Sequence, residues 1–359
     1  MQYMNSTYHR IMYCSYIKIP HFLKILIFFS LTWSIWSVYR DIFCLNLNLL
    51  SHHPAQNYVD LSIVIPCYNT GLLMHDLFVA LSRLQLELKS KQEIHFSVSK
   101  STDNTVVFIK RYIDNHTNAY LHYFDTRYYT GELRNFALQF VKGTYVVFVD
   151  ADDTVDVLAM QGALTEALFF RPDVLILPYT IVYVKENAHA YQSIDNGYNI
   201  KDTLAESRLR ALRMVNFPWN KLYLYSHIRK HNITFGTSLV HNDIQFHWLS
   251  LALSKYVKFS TGQTVYYHKI IQDNTTRQLT QTGGVQRFQM FSALREAYMT
   301  LVMKVDGFCT SELSKLWADN VKSTVDWTRM YHISSDMIHD FQSFYHNTSI
   351  TCFNPSHPT

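Results

Sequence analysis

Asp150, Asp152 and Asp153 stand within four positions of one another, directly after the apolar run Thr144–Val149. That run is short and rich in β-branched and aromatic side chains, so it predicts a buried strand. Ionised carboxylates at the tip of such a strand must be wet, paired or bound to a metal. In an open α/β sheet the crevice beyond the carboxyl ends of the strands is where ligands bind. A carboxylate cluster there suits a hard divalent cation that also grips phosphate oxygens. A plainer reading stands beside it: a polar turn in which Asp153 or Thr154 caps the next helix.

An acidic turn of this kind needs a sheet to hold it. Apolar runs and alternation predict strands over 61–66, 93–99, 119–124, 144–150 and 173–184, and helical spacing predicts helices over 72–88, 106–113, 131–141 and 155–170. Ser101-Thr102-Asp103-Asn104-Thr105 is a polar turn able to cap the second of these helices. Strict alternation of strand and helix implies a mostly parallel sheet covered on both faces, an α/β fold. The pattern changes after Val184. Residues 185–200 form an excursion without clear period, 201–215 and 240–254 read as helices, 217–222 as a break, and 264–270 as an edge strand. From residue 281 to 359 the chain reads as a helical C-terminal extension.

Composition narrows the class. With 359 residues and 48% hydrophobic side chains, a large core is available, and a net charge of +4 is mild. No basic run with interleaved aromatics points to nucleic acid. Five cysteines lie far apart with no C-x-x-C spacing, which supports neither a zinc site nor a disulfide framework.

Before the sheet, residues 1–21 read as a leader, 22–39 as an apolar segment and 40–60 as a linker. As a helix, 22–39 reaches roughly 27 Å at about 1.5 Å per residue, against a hydrocarbon core of about 30 Å. Lys24 can snorkel, and Trp33 and Trp36 suit an interface. The expectation is a single-pass N-terminal membrane anchor rather than a cleaved signal. Basic residues lean toward a cytoplasmic N-terminus without fixing the side of the catalytic part. Five N-x-S/T sequons, at Asn5, Asn115, Asn232, Asn274 and Asn347, are compatible with a secretory lumen.

Several stretches then coincide, in order, with one family. They are Ser62-Ile63-Val64-Ile65-Pro66-Cys67-Tyr68-Asn69, Ser101-Thr102-Asp103-Asn104-Thr105, Gly131-Glu132-Leu133-Arg134-Asn135, Gly143-Thr144-Tyr145 running into Asp150-Ala151-Asp152-Asp153, Pro218-Trp219-Asn220-Lys221-Leu222, and Val240-His241-Asn242-Asp243. The chain from 61 to 280 resembles a family 2 glycosyltransferase of the GT-A fold, in the branch that builds capsular and surface polysaccharides. The resemblance implies a nucleotide-sugar donor, a UDP-sugar by preference, a glycan or glycoconjugate acceptor, Mn2+ or Mg2+, and inversion at the anomeric carbon. Asp152 and Asp153, with His268, would hold the metal. Pro66, Tyr68, Asn69, Ser99, Asp103, Arg134, Asp150 and Lys221 would line the donor, and Trp219 would stack on a sugar or simply pack. Asp243 matches the family's general base, with His247 one turn on as its partner.

Two departures qualify the resemblance. Ser99 stands where the family carries an acidic residue that reads a uracil-type base; Ser can hydrogen-bond but brings no charge. Asn242-Asp243 replaces the usual Glu-Asp pair. These departures motivate an alternative, a catalytically inactive GT-A-like carbohydrate-binding or assembly module.

Overall fold

The computed structural model describes residues 58–87, 90–185, 188–194, 201–271, 283–347, 350 and 352. The expected leader, anchor and most of the linker lie outside them. Among the described residues no helix is long and apolar enough to cross a membrane.

The elements run β1 (Val59–Cys67), α1 (His75–Glu87), β2 (Gln92–Val98), α2 (Thr105–Asp114), β3 (Ala119–Tyr123), α3 (Thr130–Ala137), β4 (Gly143–Phe148), β5 (Thr154–Val155), α4 (Val157–Phe170), β6 (Val174–Ile176), β7 (Tyr179–Lys185) and β8 (Ala188–Ile194). They continue as α5 (Leu204–Leu212), β9 (Lys221–Leu224), α6 (Tyr225–Lys230), α7 (Asp243–Ala252), β10 (Val257–Phe259), β11 (Tyr266–Ile271), α8 (Gln289–Lys304), α9 (Glu312–His332) and α10 (Ile338–Asn347). Seven strands form one sheet in the order β10-β6-β9-β4-β1-β2-β3. All its pairs are parallel except those of β9, which runs antiparallel to both β4 and β6. The mostly parallel sheet flanked by helices is as the alternation implied.

Both faces of this sheet are dry at its centre. Leu61, Ile63 and Ile65 of β1 point to the side covered by α1, α2 and α4. Val64 points to the other side, where Phe148, Phe246, Trp248, Leu294 and Trp317 lie in one core. The two-residue period of a strand produces this split. The C-terminal helices α8 and α9 therefore complete one face of the sheet. Trp317 fixes the tail as well: its indole donates to the Ile350 carbonyl at 2.6 Å and meets Trp248 edge-on at 5.0 Å.

Three local expectations are corrected. The single strand over 173–184 is two, β6 and β7, in different sheets; Pro178 has no N–H to continue a ladder, and the chain changes sheet there. The excursion after Val184 contains β8, hairpinned onto β7. The edge strand expected over 264–270 is β11, an inner strand of the second sheet, order β5-β11-β7-β8. The scattered cysteines also hold one bridge, Cys309–Cys352, which ties the tail beyond α10 to the start of α9.

Candidate active site

The acidic turn follows β4, as expected, but its three carboxylates part company. Asp150 pairs with the Arg134 guanidinium of α3 at 2.5 Å. Asp153 turns inward and is fully buried. Its Oδ2 accepts from the Tyr266 hydroxyl at 2.6 Å, and its Oδ1 accepts from the Lys269 amide at 2.7 Å. His268 Nδ1 lies 3.0 Å from Oδ2. Beside an ionised carboxylate, which only accepts, that nitrogen carries the proton. The Tyr266 hydroxyl also accepts from the Asp150 amide at 3.0 Å, so one side chain of β11 staples both ends of the turn. Asp152, between them, is partly exposed. The helix cap is neither Asp153 nor Thr154: Asp156 caps α4, accepting from the Ala159 amide at 2.8 Å.

An aromatic stack backs this cluster. Trp219 is buried, with Tyr266 at 4.3 Å, Phe217 at 4.5 Å and His268 at 5.2 Å between ring centroids. Trp219 is thus packing that orients Tyr266 and His268, not an open platform for a sugar. Burial alone would make His268 less basic. The Asp153 charge and hydrogen bond outweigh that, with Asp150 and Asp152 adding to them, and raise it to about 9.

The donor set tests the metal expectation. Among the described residues no three His, Cys, Asp or Glu side chains gather as a cation site. Asp153 is fully buried, and Tyr266, the Lys269 amide and His268 take up most of its acceptor capacity. What remains is smaller: Asp152, whose charge acts on His268, and the His268 imidazole once it has given up its proton, with Asp153 behind the ring in the carboxylate–histidine arrangement that orients metal-binding rings. Two protein ligands suffice for an ion that takes its remaining oxygens from a substrate's phosphates and water.

Asp243 opens α7, where a carboxylate is favoured by the helix dipole. Its surroundings are built by a close approach. A Cβ on Gly131 would collide with the Gly236 carbonyl and come within 2.9 Å of Asn242 Cβ, so α3 reaches the 236–242 loop only because residue 131 is glycine. Asn135 locks that contact, donating to the Phe235 carbonyl at 2.9 Å and accepting from its amide at 2.8 Å. The fastening sets Arg134 where its charge acts on both Asp150 and Asp243. Burial pushes the Asp243 carboxyl up to about 6; Arg134 and Lys221 pull it down, and the Asp150 charge pushes it further up. His247 is not among the groups acting on Asp243; it is buried, and burial holds it neutral.

Lys221 corrects another expectation. It is fully buried at the start of β9, donating to the Phe217 carbonyl and to Asn220 Oδ1, each at 2.6 Å. Burial lowers it to about 7, against the opposing pull of Asp243. The Lys221 amine is therefore bonded inside the fold, where the Asp243 charge reaches it, rather than held out on a diphosphate.

On the other side of β4, the end of β1 carries Pro66 and the loop after it Tyr68 and Asn69. Asn69 takes a left-handed conformation, φ 50°, and accepts from the Thr102 amide at 2.8 Å. Asp103 is spent on the same turn. It accepts from the Gly71 amide at 3.0 Å and from the Thr105 amide and hydroxyl. Burial would raise its carboxyl; these bonds outweigh it and hold it below the ordinary carboxylate range. Ser99 is buried too, its hydroxyl accepting from the Tyr128 amide at 2.8 Å and facing the Thr126 carbonyl at 3.3 Å.

Comparison with known proteins bears on the fold that carries this site. Residues 62–231 match the model of glycosyl transferase family 2, a segment that ends before Asp243 and His268. The chain is 29% identical over 190 residues to the uncharacterized glycosyltransferase YibD of Escherichia coli (strain K12), which covers 51% of this chain and 54% of YibD. The chain thus spans about half the length of that curated relative. Among solved structures, S. aureus TarS 1–349 superposes with a TM-score of 0.61 at 18% identity, covering 81% of this chain and 79% of that one. Its complex with UDP-GlcNAc gives 0.62 at 17%, covering 80% and 79%. At these identities the likeness is one of fold.

Proposed function

We propose that the chain, whose residues 62–231 match the model of glycosyl transferase family 2, moves a sugar from a nucleotide-sugar donor to a hydroxyl of a glycan or glycoconjugate, with inversion and with Asp243 as general base. The observation that carries this reading is the shared electrostatic neighbourhood of Asp243, Arg134 and Asp150. Arg134 pairs with Asp150, and the charges of both act on the Asp243 carboxylate.

The chemistry follows from the groups present. The acceptor oxygen attacks the anomeric carbon from the face opposite the leaving group; the new C–O bond forms as the bond to the diphosphate breaks. The hydroxyl proton passes to Asp243, and the nucleoside diphosphate departs as an anion. A base of pKa about 6 is matched to neutral pH. Arg134 supplies fixed positive charge close to the acidic turn and the carboxylate. A divalent ion, Mn2+ or Mg2+, held by Asp152 and His268, would supply further stabilisation of the leaving diphosphate. A UDP-sugar is the donor class we infer, since the fold neighbour TarS is crystallised with UDP-GlcNAc. Membrane attachment through 22–39 belongs to the same proposal and rests on the apolar run alone.

The test is release of nucleoside diphosphate from a panel of UDP- and GDP-sugars, with and without Mn2+, by wild type and Asp152→Asn. The proposal expects turnover with at least one donor and loss of its metal-dependent part in Asp152→Asn. Sugar binding without turnover, indifferent to chelation, would support the inactive-module reading that Asn242 and Ser99 motivate.

A further inference from the structure

Two of the sequons read from the sequence fall on described side chains, and both stand out from the fold. Asn115, of Asn115-His116-Thr117, follows α2 and is exposed, as is Thr117. Its Nδ2 donates to the Arg111 carbonyl one turn back at 2.9 Å. That nitrogen has two N–H bonds, so one is left over. Helix α2 runs back from the carboxyl end of β2 to the start of β3, so Asn115 lies at the amino ends of the parallel strands, away from the acidic turn after β4. Asn232, of Asn232-Ile233-Thr234, follows α6 in the left-handed conformation, φ 46°. The backbone closes around it: its amide donates to the Arg229 carbonyl at 3.2 Å, and the Ile233 amide to the Ile228 carbonyl at 3.0 Å. Its side chain is exposed and bonds to nothing among the described residues. A bulky group on either nitrogen would extend into solvent rather than displace packing.

A second, unrelated observation bears on the compartment. Cys309, in the turn after α8, is bridged to Cys352, 43 residues on, with Cα atoms 5.4 Å apart. Cys309 is exposed and Cys352 half-buried. A bridge open to solvent exchanges with the thiols around it, so it persists only where the compartment is oxidising. The tail it holds belongs to the fold, because Ile350 is buried and accepts from the Trp317 indole at 2.6 Å. Cytosolic thiols would open the bridge. A secretory lumen keeps it closed, and is also where N-x-S/T sequons are glycosylated.

We propose that this domain resides in the oxidising lumen of a secretory compartment and carries N-linked glycans on Asn115 and Asn232. In the transfer, Nδ2 bonds to the anomeric carbon of an oligosaccharide held on a polyprenyl diphosphate lipid. The bond from that carbon to the diphosphate breaks, the lipid diphosphate leaves, and one amide proton passes to a base of the compartment's own transferase. The glycan at Asn115 sits at the end of the sheet opposite the acidic turn and leaves the candidate site open. The proposal is independent of the glycosyltransferase reading of this chain.

Translation of the full chain in the presence of rough microsomes tests this, using wild type, Thr117→Ala, Asn232→Asp, their double variant and Cys309→Ser. Thr117→Ala removes the first sequon and leaves Asn115 in place. Asn232→Asp removes the second with a residue that also tolerates the left-handed region. Wild type should be protected from added protease, and peptide N-glycosidase in heavy-oxygen water should label both Asn115 and Asn232. Each single variant should lose one of the gel steps that the glycosidase removes, and the double variant two. Without reductant, the Cys309 and Cys352 peptides should be recovered joined in wild type and apart in Cys309→Ser. Protection with either asparagine unlabelled overturns the assignment at that residue. Digestion by the added protease, with both asparagines unlabelled and Cys309 free, overturns the compartment and both sites while leaving the transferase reading untouched.

Discussion

Removing one oxygen, in Tyr266→Phe, separates a structural Asp153 from a metal-binding one. The hydroxyl accepts from the Asp150 amide at 3.0 Å and donates to Asp153 Oδ2 at 2.6 Å, both in a buried setting. Phe keeps the ring and so keeps the stack on Trp219 at 4.3 Å. The loss is then two hydrogen bonds. The one to a carboxylate is worth about 1.5–3 kcal/mol and the neutral one about 1 kcal/mol, and the orphaned amide cannot reach water without opening the turn. The Asp153 carboxylate keeps the Lys269 amide and His268, which caps the damage. A loss of about 2–4 kcal/mol is expected. Urea denaturation at neutral pH, read by fluorescence and circular dichroism, would show it as a lower midpoint at an unchanged slope. If Asp153 is instead a metal ligand whose place in the fold does not depend on Tyr266, stability of the metal-free protein should move by no more than about 0.5 kcal/mol. That result would refute the division of labour among the three acids.

Other perturbations probe the neighbouring parts. Gly131→Ala places a methyl group against the Gly236 carbonyl and Asn242, so it should cost about 1–3 kcal/mol or more and displace the start of α7, lowering turnover in whatever fraction stays folded; urea midpoint and specific activity read the two effects. His122 makes the sheet acid-sensitive: burial, reinforced by His95 at 3.0 Å, lowers its pKa to about 4. Because this is below the unfolded value of about 6.5, the folded state resists the proton. Stability should be full above pH 6.5, fall as pH drops toward 4, and level off below; His122→Asn should flatten that part of the stability-against-pH curve.

The acids at the tip of β4 were legible because an apolar run cannot end in three carboxylates without a job for them. Their separate fates were not. Asp153 is claimed by Tyr266 and His268, more than a hundred residues further on, and no local pattern announces such partners. The resemblance puts Lys221 on the donor, and 217–222 reads as a break. In fact four residues, Lys221–Leu224, insert as an antiparallel strand and carry the ammonium inside. The hairpin strand β8, Ala-His-Ala-Tyr-Gln-Ser-Ile, is too polar to show a buried face. Ser99 marked a departure in the motif, yet its hydroxyl's commitment to Tyr128 and Thr126 depends on a loop whose path follows from β2–β3 pairing. The parallel core, by contrast, was readable, since Leu61 to Ile65 and Tyr145 to Phe148 are buried on both faces and leave few alternatives.

The most direct test of Asp243 is the pH dependence of kcat/KM, measured from pH 4.5 to 8.5 with the donor that the panel identifies. A partly exposed carboxylate base raised to about 6 predicts an acid limb with an apparent pKa near 6. In Asp243→Asn that limb should vanish and the plateau should fall about 10²–10⁴-fold, with nucleotide binding retained. An Asn variant that keeps the limb and most of its rate would contradict the assignment of Asp243 as the group that takes the acceptor's proton.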